Sequence, residues 1–238
     1  MDLYEILLLI ILAVGVLAFK YQYPRKKSQV LLFGLSGNPP TGDTGHRGIV
    51  KQIAEQKLFD EIWILPVYSH TFSSKKNLLP FKTRMDLSIL NFQDLPGCKV
   101  LPIEQNAFEY YNKLTGKAES IGTIGLLNYL KPLNNSIEYT FCLGTDTFND
   151  LIAGKWNDDG EIIRTTNLLV INRQGYLIEK SNLSNKKTHN IKYLSVPYTD
   201  QVSSTLIKES LLSDQTFAKE KLYGPVFDYI CKHNLYMG

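Results

Sequence analysis

Cysteine is scarce in this sequence. Cys98, Cys142 and Cys231 are the three present among 238 residues, scattered and without a Cys-x-x-Cys pair. Their spacing excludes the usual structural metal sites and points to a reducing compartment. Histidine numbers four, and His70, His189 and His233 have no companion at ligand spacing, so they read as structural. Excess charge is also missing. A net +3 with no dense basic stripe argues against nucleic acid as a partner. No internal repeat or low-complexity segment occurs. A Gly-x-Gly-x-x-Gly spacing is absent after the first apolar run, which argues against a dinucleotide-dependent dehydrogenase. Gly34-Leu35-Ser36 is no nucleophile elbow either, because Asn38 stands where that turn needs glycine.

A long hydrophobic run occurs once, at the N-terminus. Ile6 to Phe19 is unbroken, and Leu3, Tyr4, Tyr21 and Tyr23 extend it. Counted from Leu3 to Tyr23 it approaches the ~20 residues of a spanning helix. Asp2 and Glu5 precede it, and Lys20, Arg25, Lys26 and Lys27 follow, the reverse of a secretory signal's charge order. The expectation is one transmembrane helix over 3–23, with the remainder facing the cytosol by the positive-inside rule. A cleaved or interfacial segment is the other reading. The chain then divides into a membrane anchor with a basic juxtamembrane linker at 1–28 and one domain at 29–238. The composition, 44% hydrophobic and 21% charged, is that of a globular protein.

From Gln29 onward short apolar runs alternate with helical patterns. Strands are expected at 29–35, 60–66, 98–103, 137–143, 167–172 and 191–196, and helices at 46–58, 81–92, 120–131 and 147–155. Such alternation predicts an α/β fold, a mostly parallel sheet with helices on both faces. Ser181 to Asn190 is polar and reads as an exposed loop. The most informative stretch joins the first strand to the first helix: Gly34-Leu35-Ser36-Gly37-Asn38-Pro39-Pro40-Thr41-Gly42-Asp43-Thr44-Gly45-His46. Its prolines stop the strand, Asp43 and Thr44 are suited to cap the helix, and its glycines admit a ligand close to backbone amides. Free amides at such a helix start form an anion site, with His46 on the first turn. An ordinary Gly/Pro loop is the plainer alternative.

These residues resemble the signature of the nucleotidylyltransferases, and more closely that of the nicotinamide/nicotinate mononucleotide adenylyltransferases. Further matches follow in the family's order. Lys75-Lys76-Asn77-Leu78-Leu79-Pro80 with Arg84-Met85 resembles the segment that reaches the phosphates. Leu143-Gly144-Thr145-Asp146 with Trp156 resembles the Gly-Ala-Asp…Trp element, and Asn172-Arg173-Gln174-Gly175-Tyr176 the Arg-x-Gly-Tyr turn. Val202-Ser203-Ser204-Thr205-Leu206-Ile207-Lys208 resembles Ile-Ser-Ser-Thr-x-Ile-Arg. The likeness spans nearly all of 29–238.

The resemblance implies a Rossmann-like fold and transfer of adenylate from ATP to a mononucleotide, giving an NAD-type dinucleotide and pyrophosphate. It implies catalytic roles for His46, Thr41 and Lys76, and ATP binding by Ser36, Gly37, Gly45, His46, Ser203, Ser204, Thr205 and Lys208. Lys75, Asp146, Trp156 and Arg173 fall to the mononucleotide, with Trp156 stacked on its pyridine ring. Mg²⁺ would arrive with ATP, held mainly by phosphate and water. Beyond these substrates the implied partners are the membrane and, as an open matter, a second copy of the chain. Each residue has a structural alternative: a surface histidine at His46, a solvated loop at Lys75-Lys76, loop packing by Trp156, and helix caps at Asp146, Ser203 and Ser204.

Four features depart from the family. Four residues separate Thr41 from His46 where two are usual, Gly37 replaces phenylalanine, and Lys208 replaces arginine. No Trp-Glu pair follows the third strand; Phe108-Glu109-Tyr110-Tyr111 lies there instead. Two further readings stay open. One keeps the transfer with another NTP or acceptor, such as a cytidylyltransferase or a phosphopantetheine-type acceptor. The other is a membrane-tethered protein that binds nucleotide without turnover.

Overall fold

The computed structural model describes residues 4–10, 12, 26–69, 78–116, 120–172, 178, 190–196 and 202–237. Six strands form one sheet: β1 (Ser28–Leu35), β2 (Glu61–Pro66), β3 (Cys98–Val100), β4 (Ile137–Gly144), β5 (Asn167–Asn172) and β6 (Ile191–Ser195). The four inner strands, β1, β2, β4 and β5, are short and mostly apolar, as expected of strands buried on both faces, whereas the edge strands β3 and β6 are partly exposed. All pairings are parallel, in the order β3-β2-β1-β4-β5-β6. Successive β1 side chains face opposite ways and so serve two cores. Val30 and Leu32 join one with Leu127, Phe148 and Leu168, whereas Leu31, Phe33 and Leu35 join the other with Val50, Ile53 and Phe92.

The helices are α1 (His46–Glu55), α2 (Phe81–Phe92), α3 (Ile103–Thr115), α4 (Gly122–Leu130), α5 (Thr145–Ile152), α6 (Asp159–Thr165), α7 (Ser204–Leu211), α8 (Thr216–Lys221) and α9 (Gly224–Lys232). Helices α1 and α2 cover one face; α3 to α6 cover the other. The last three pack on α2 in a third core through Ile207, Leu211, Val226, Ile230 and Leu87. Expected and observed strands agree to within a residue or so, except β3. It stops at Val100, because Pro102 offers no N–H to a ladder and α3 begins directly after it.

The expected membrane anchor is overturned, and the single-pass placement with it. Among the described residues no helix is long and apolar enough to cross a membrane. The helical residues at 4–10 span about 10 Å, against the ~30 Å of a bilayer core. The unbroken run Ile6–Phe19 would itself reach only about 21 Å as a helix. Length enough to span came only from adding the flanking residues, Lys20 among them. Residues 11 and 13–25 of that stretch lie outside the described residues.

Candidate active site

Strand order reverses between β1 and β4, and α/β sheets bind ligands in the crevice beyond such a reversal. Here a cavity of about 450 Å³ opens there. Gly34, Leu35 and Ser36 from the end of β1 line it, with Leu143 and Gly144 from the end of β4. Ile121 to Thr123 at the start of α4, Trp156 after α5, and Glu104 in the first turn of α3 complete the wall. β1 runs into the glycine-containing loop before α1, and β4 ends on Gly144, the residue directly before α5.

Beside it lies the loop from β1 to α1. Gly37 sits at φ +61°, and a Cβ there would come within 2.9 Å of Ser88 Oγ. Glycine therefore replaces a larger residue for a backbone reason. Asn38 is buried, its Oδ1 accepting from the Leu79 N–H (3.1 Å) and the Tyr236 hydroxyl (2.9 Å). Thr41 is wholly buried, and its carbonyl accepts from the Arg47 N–H (3.1 Å) and Asn91 Nδ2 (3.2 Å).

The extra residues between Thr41 and His46 do not separate the two. They fold into a turn closed by Gly45 N–H to Gly42 O at 2.9 Å, and Gly42 N–H bonds to Lys221 O at 2.9 Å. His46 N–H donates to Thr41 Oγ1 (2.8 Å), whose hydroxyl in turn lies 2.7 Å from His46 Nδ1. The Thr41 N–H also donates to Nδ1, at 3.1 Å. With two donors aimed at it, Nδ1 is the acceptor nitrogen and the ring proton belongs on Nε2. The expected caps, Asp43 and Thr44, do not cap α1; Thr41 does so from five residues back. Asp43 instead pairs with Arg47 Nε at 3.1 Å.

Arg47 anchors this turn from behind. Its guanidinium forks onto Asp94 (2.7 and 2.8 Å), donates to Asn91 O and lies 3.8 Å over the Tyr223 ring. The hydrogen bond to Asp94 raises Arg47 further above its usual range and holds the Asp94 carboxyl down at about 2. Arg84 is committed to the backbone. It is buried, and its nitrogens donate to the backbone carbonyls of Leu79, Ser36, Val67 and Tyr68, while burial lowers its pKa.

A second helix start meets the loop. Ser204 Oγ donates to Pro39 O at 2.8 Å, and Ser203 Oγ caps α7 by accepting from the Leu206 N–H at 3.2 Å. Thr205 is exposed on the first turn and Lys208 is half-buried one turn on. Asp146 lies exposed on the first turn of α5, folded over Gly144, and Trp156 packs half-buried against the α3–α6 core. Lys75, Lys76 and Arg173 lie outside the described residues.

The sequence reading missed Glu104. In Phe108-Glu109-Tyr110-Tyr111, which stands after the third strand instead of a Trp-Glu pair, Glu109 is exposed and bonded to Gln105 at 2.8 Å. Glu104 Oε2 accepts from the Tyr68 N–H at 3.0 Å, and burial pushes its carboxyl up to about 7. A signal existed: Pro102 ends the strand, and an acid in the first turn after it favours a helix start. Among the described residues no group of three or more His, Cys, Asp or Glu side chains is placed to hold a metal ion.

A switch-point cavity flanked by two helix starts and a tautomer-locked histidine defines a nucleotide-binding α/β protein suited to phosphate chemistry. A family model described as Cytidylyltransferase-like matches residues 38–210, and the chain belongs to this family. The expected nucleotidylyltransferase membership is thereby borne out. A protein of Myxococcus xanthus named probable nicotinate-nucleotide adenylyltransferase is 27% identical over 213 residues, covering 89% of this chain and 96% of its own. One of the same name from Bacteroides fragilis is 26% identical over 185 residues, covering 78% and 83%. The Plasmodium falciparum nicotinic acid mononucleotide adenylyltransferase, solved with NaAD, shares the fold at TM-score 0.68 and 21% identity, covering 88% of this chain and 97% of that one.

Proposed function

We propose that the protein is an adenylyltransferase that joins ATP to nicotinate or nicotinamide mononucleotide, giving an NAD-type dinucleotide and pyrophosphate. The observation that carries this reading is the Thr41–His46 pair. It leaves a protonated Nε2 as a fixed donor beside the end of β1. In the transfer, a phosphate oxygen of the mononucleotide forms a bond to the α-phosphorus of ATP while the Pα–O–Pβ bond breaks and pyrophosphate departs. Little covalent work falls to the protein, so positioning and charge stabilisation dominate.

His46 Nε2–H donates to a non-bridging α-phosphate oxygen as charge gathers there, and Thr41 positions that ring. Ser36, Gly37 and Gly45 line the approach to the α-phosphate. Ser203, Ser204, Thr205 and Lys208 take the β- and γ-phosphates at the start of α7. Trp156 stacks on the pyridine ring, and Asp146, Lys75 and Arg173 serve the mononucleotide. Lys76 holds phosphate as a point charge. A divalent ion, Mg²⁺ in this proposal, would arrive with ATP, held by phosphate oxygens and water, and would neutralise phosphate charge. The longer loop had motivated a reading without turnover. Because His46 stays bonded to Thr41 across that loop, the geometry favours turnover.

The test incubates the protein with Mg-ATP and either mononucleotide and scores dinucleotide and pyrophosphate together. Both should form in equal amounts. His46→Ala should lower turnover by roughly 10²–10³-fold while changing the Kd for ATP far less. ATP binding without either product would reject the reading.

A further inference from the structure

The cavity wall carries one acid and one base among the described residues: Glu104 and Lys155. Lys155 is paired with Asp150 at 2.7 Å. Glu104 is differently placed. One of its oxygens is held by a backbone N–H from the loop after β2, and the residue belongs to the wall of the cavity that, on the reading above, takes the mononucleotide. The two acceptors differ only in one pyridine substituent, a carboxylate or a carboxamide. An ionised carboxyl can only accept hydrogen bonds; a protonated one can donate. We propose that Glu104 reads that substituent through its own protonation state. Ionised, it accepts from the carboxamide N–H of the amide acceptor; protonated, it donates its O–H to the carboxylate of the acid acceptor. Where Glu104 is ionised in the free protein, binding of the acid acceptor then takes up one proton from solvent and binding of the amide acceptor takes up none; where it is already protonated, the amide acceptor releases one instead.

The surroundings suit this. Burial is the main influence on Glu104 and favours its neutral form, placing its titration near neutrality. Opposing it are the Tyr68 N–H and, from α2, the field of Arg84. Arg84 is occupied by backbone carbonyls and is faced in turn by Tyr236, whose hydroxyl burial keeps neutral. Two like charges inside a cavity of this size repel strongly enough for an effect of roughly tenfold or more.

The assignment rests on the adenylyltransferase reading, and the experiment separates the two. kcat/KM is measured for both acceptors from about pH 6 to about pH 8.5 at saturating Mg-ATP, in the wild type, Glu104→Gln and Glu104→Asp. Ionisations common to both acceptors, including their phosphates, cancel in the ratio of acid to amide. That ratio should fall on the order of tenfold as pH rises in the wild type, stay flat in Glu104→Gln, and fall again in Glu104→Asp. Calorimetry of wild-type binding at about pH 8.5, in two buffers of different ionisation enthalpy, should show proton uptake for the acid acceptor alone, and it needs no variant to fold. Turnover with a flat wild-type ratio, or an undiminished fall in Glu104→Gln, overturns the assignment. No dinucleotide from either acceptor at any pH overturns the functional reading and this assignment with it.

Discussion

Thr41 makes one histidine usable. Its amide and hydroxyl both address His46 Nδ1, and its oxygen takes the His46 N–H, so one side chain caps a helix and selects a tautomer. Thr41→Val keeps the volume and removes the hydroxyl. The ring is then held by the amide alone, and a buried N–H loses its partner at a cost of about 1–3 kcal/mol. Turnover should fall roughly tenfold to hundredfold, with melting temperature lowered as well. Thr41→Ser should restore most of both. Steady-state kinetics on the two variants, beside their thermal melts, tests this directly. An unchanged kcat in Thr41→Val would mean that the hydroxyl does not position His46.

At the scale of elements, the start of α1 is set by contact rather than by propensity. A Cβ on Gly45 would sit 2.1 Å from Thr41 Oγ1, so even alanine must push Thr41 away from the histidine. Gly45→Ala should therefore lose more than about tenfold in turnover and about 1–3 kcal/mol in urea unfolding. Gly160, inside α6 with open space around it, makes the contrast: Gly160→Ala should gain about 0.5–1 kcal/mol and leave turnover alone. Equal effects at the two positions would refute the contact argument. The strands were legible in the sequence because a parallel strand buried on both faces is a plain apolar run. Helices α3, α6, α8 and α9 were not expected; α3 and α8 each bury a single residue, Ala107 and Ala218. The loop to α1 was legible because its glycines, prolines and histidine act locally. Asn91, Asp94 and Glu104 were hidden because what they do depends on partners across the sheet and its helices. The apolar N-terminal run misled through composition: its unbroken core, Ile6 to Phe19, is shorter than a spanning helix, and the flanks that were added to it include Glu5 and Lys20.

For the whole molecule, two carboxyls set opposite responses to pH. Asp94 is held at about 2 by Arg47, so its stabilisation is full above its unfolded value near 4 and is lost as pH falls toward 2. Its side chain is 47% exposed, so about 1 kcal/mol is at stake. Glu104 runs the other way. The folded state keeps its proton up to about pH 7, so stability falls as pH rises from about 4.5 to about 7 and stays lower above. Glu104→Gln should be more stable than the wild type at pH 8, by about 1–3 kcal/mol in urea unfolding, and equal to it at pH 5. The same margin at both pH values would show that Glu104 is not neutral in the folded state at low pH. The bond from Tyr236 to Asn38 joins positions 198 residues apart, and Gly42 leans on Lys221 in the same way. Contacts so distant in sequence form late, whereas sheet and helix segments can assemble as they emerge during synthesis. An unfinished chain on the ribosome can therefore assemble its sheet before the loop from β1 to α1 is held in place, and on the adenylyltransferase reading ATP binding should follow only once α9 and the residues beyond it have folded back.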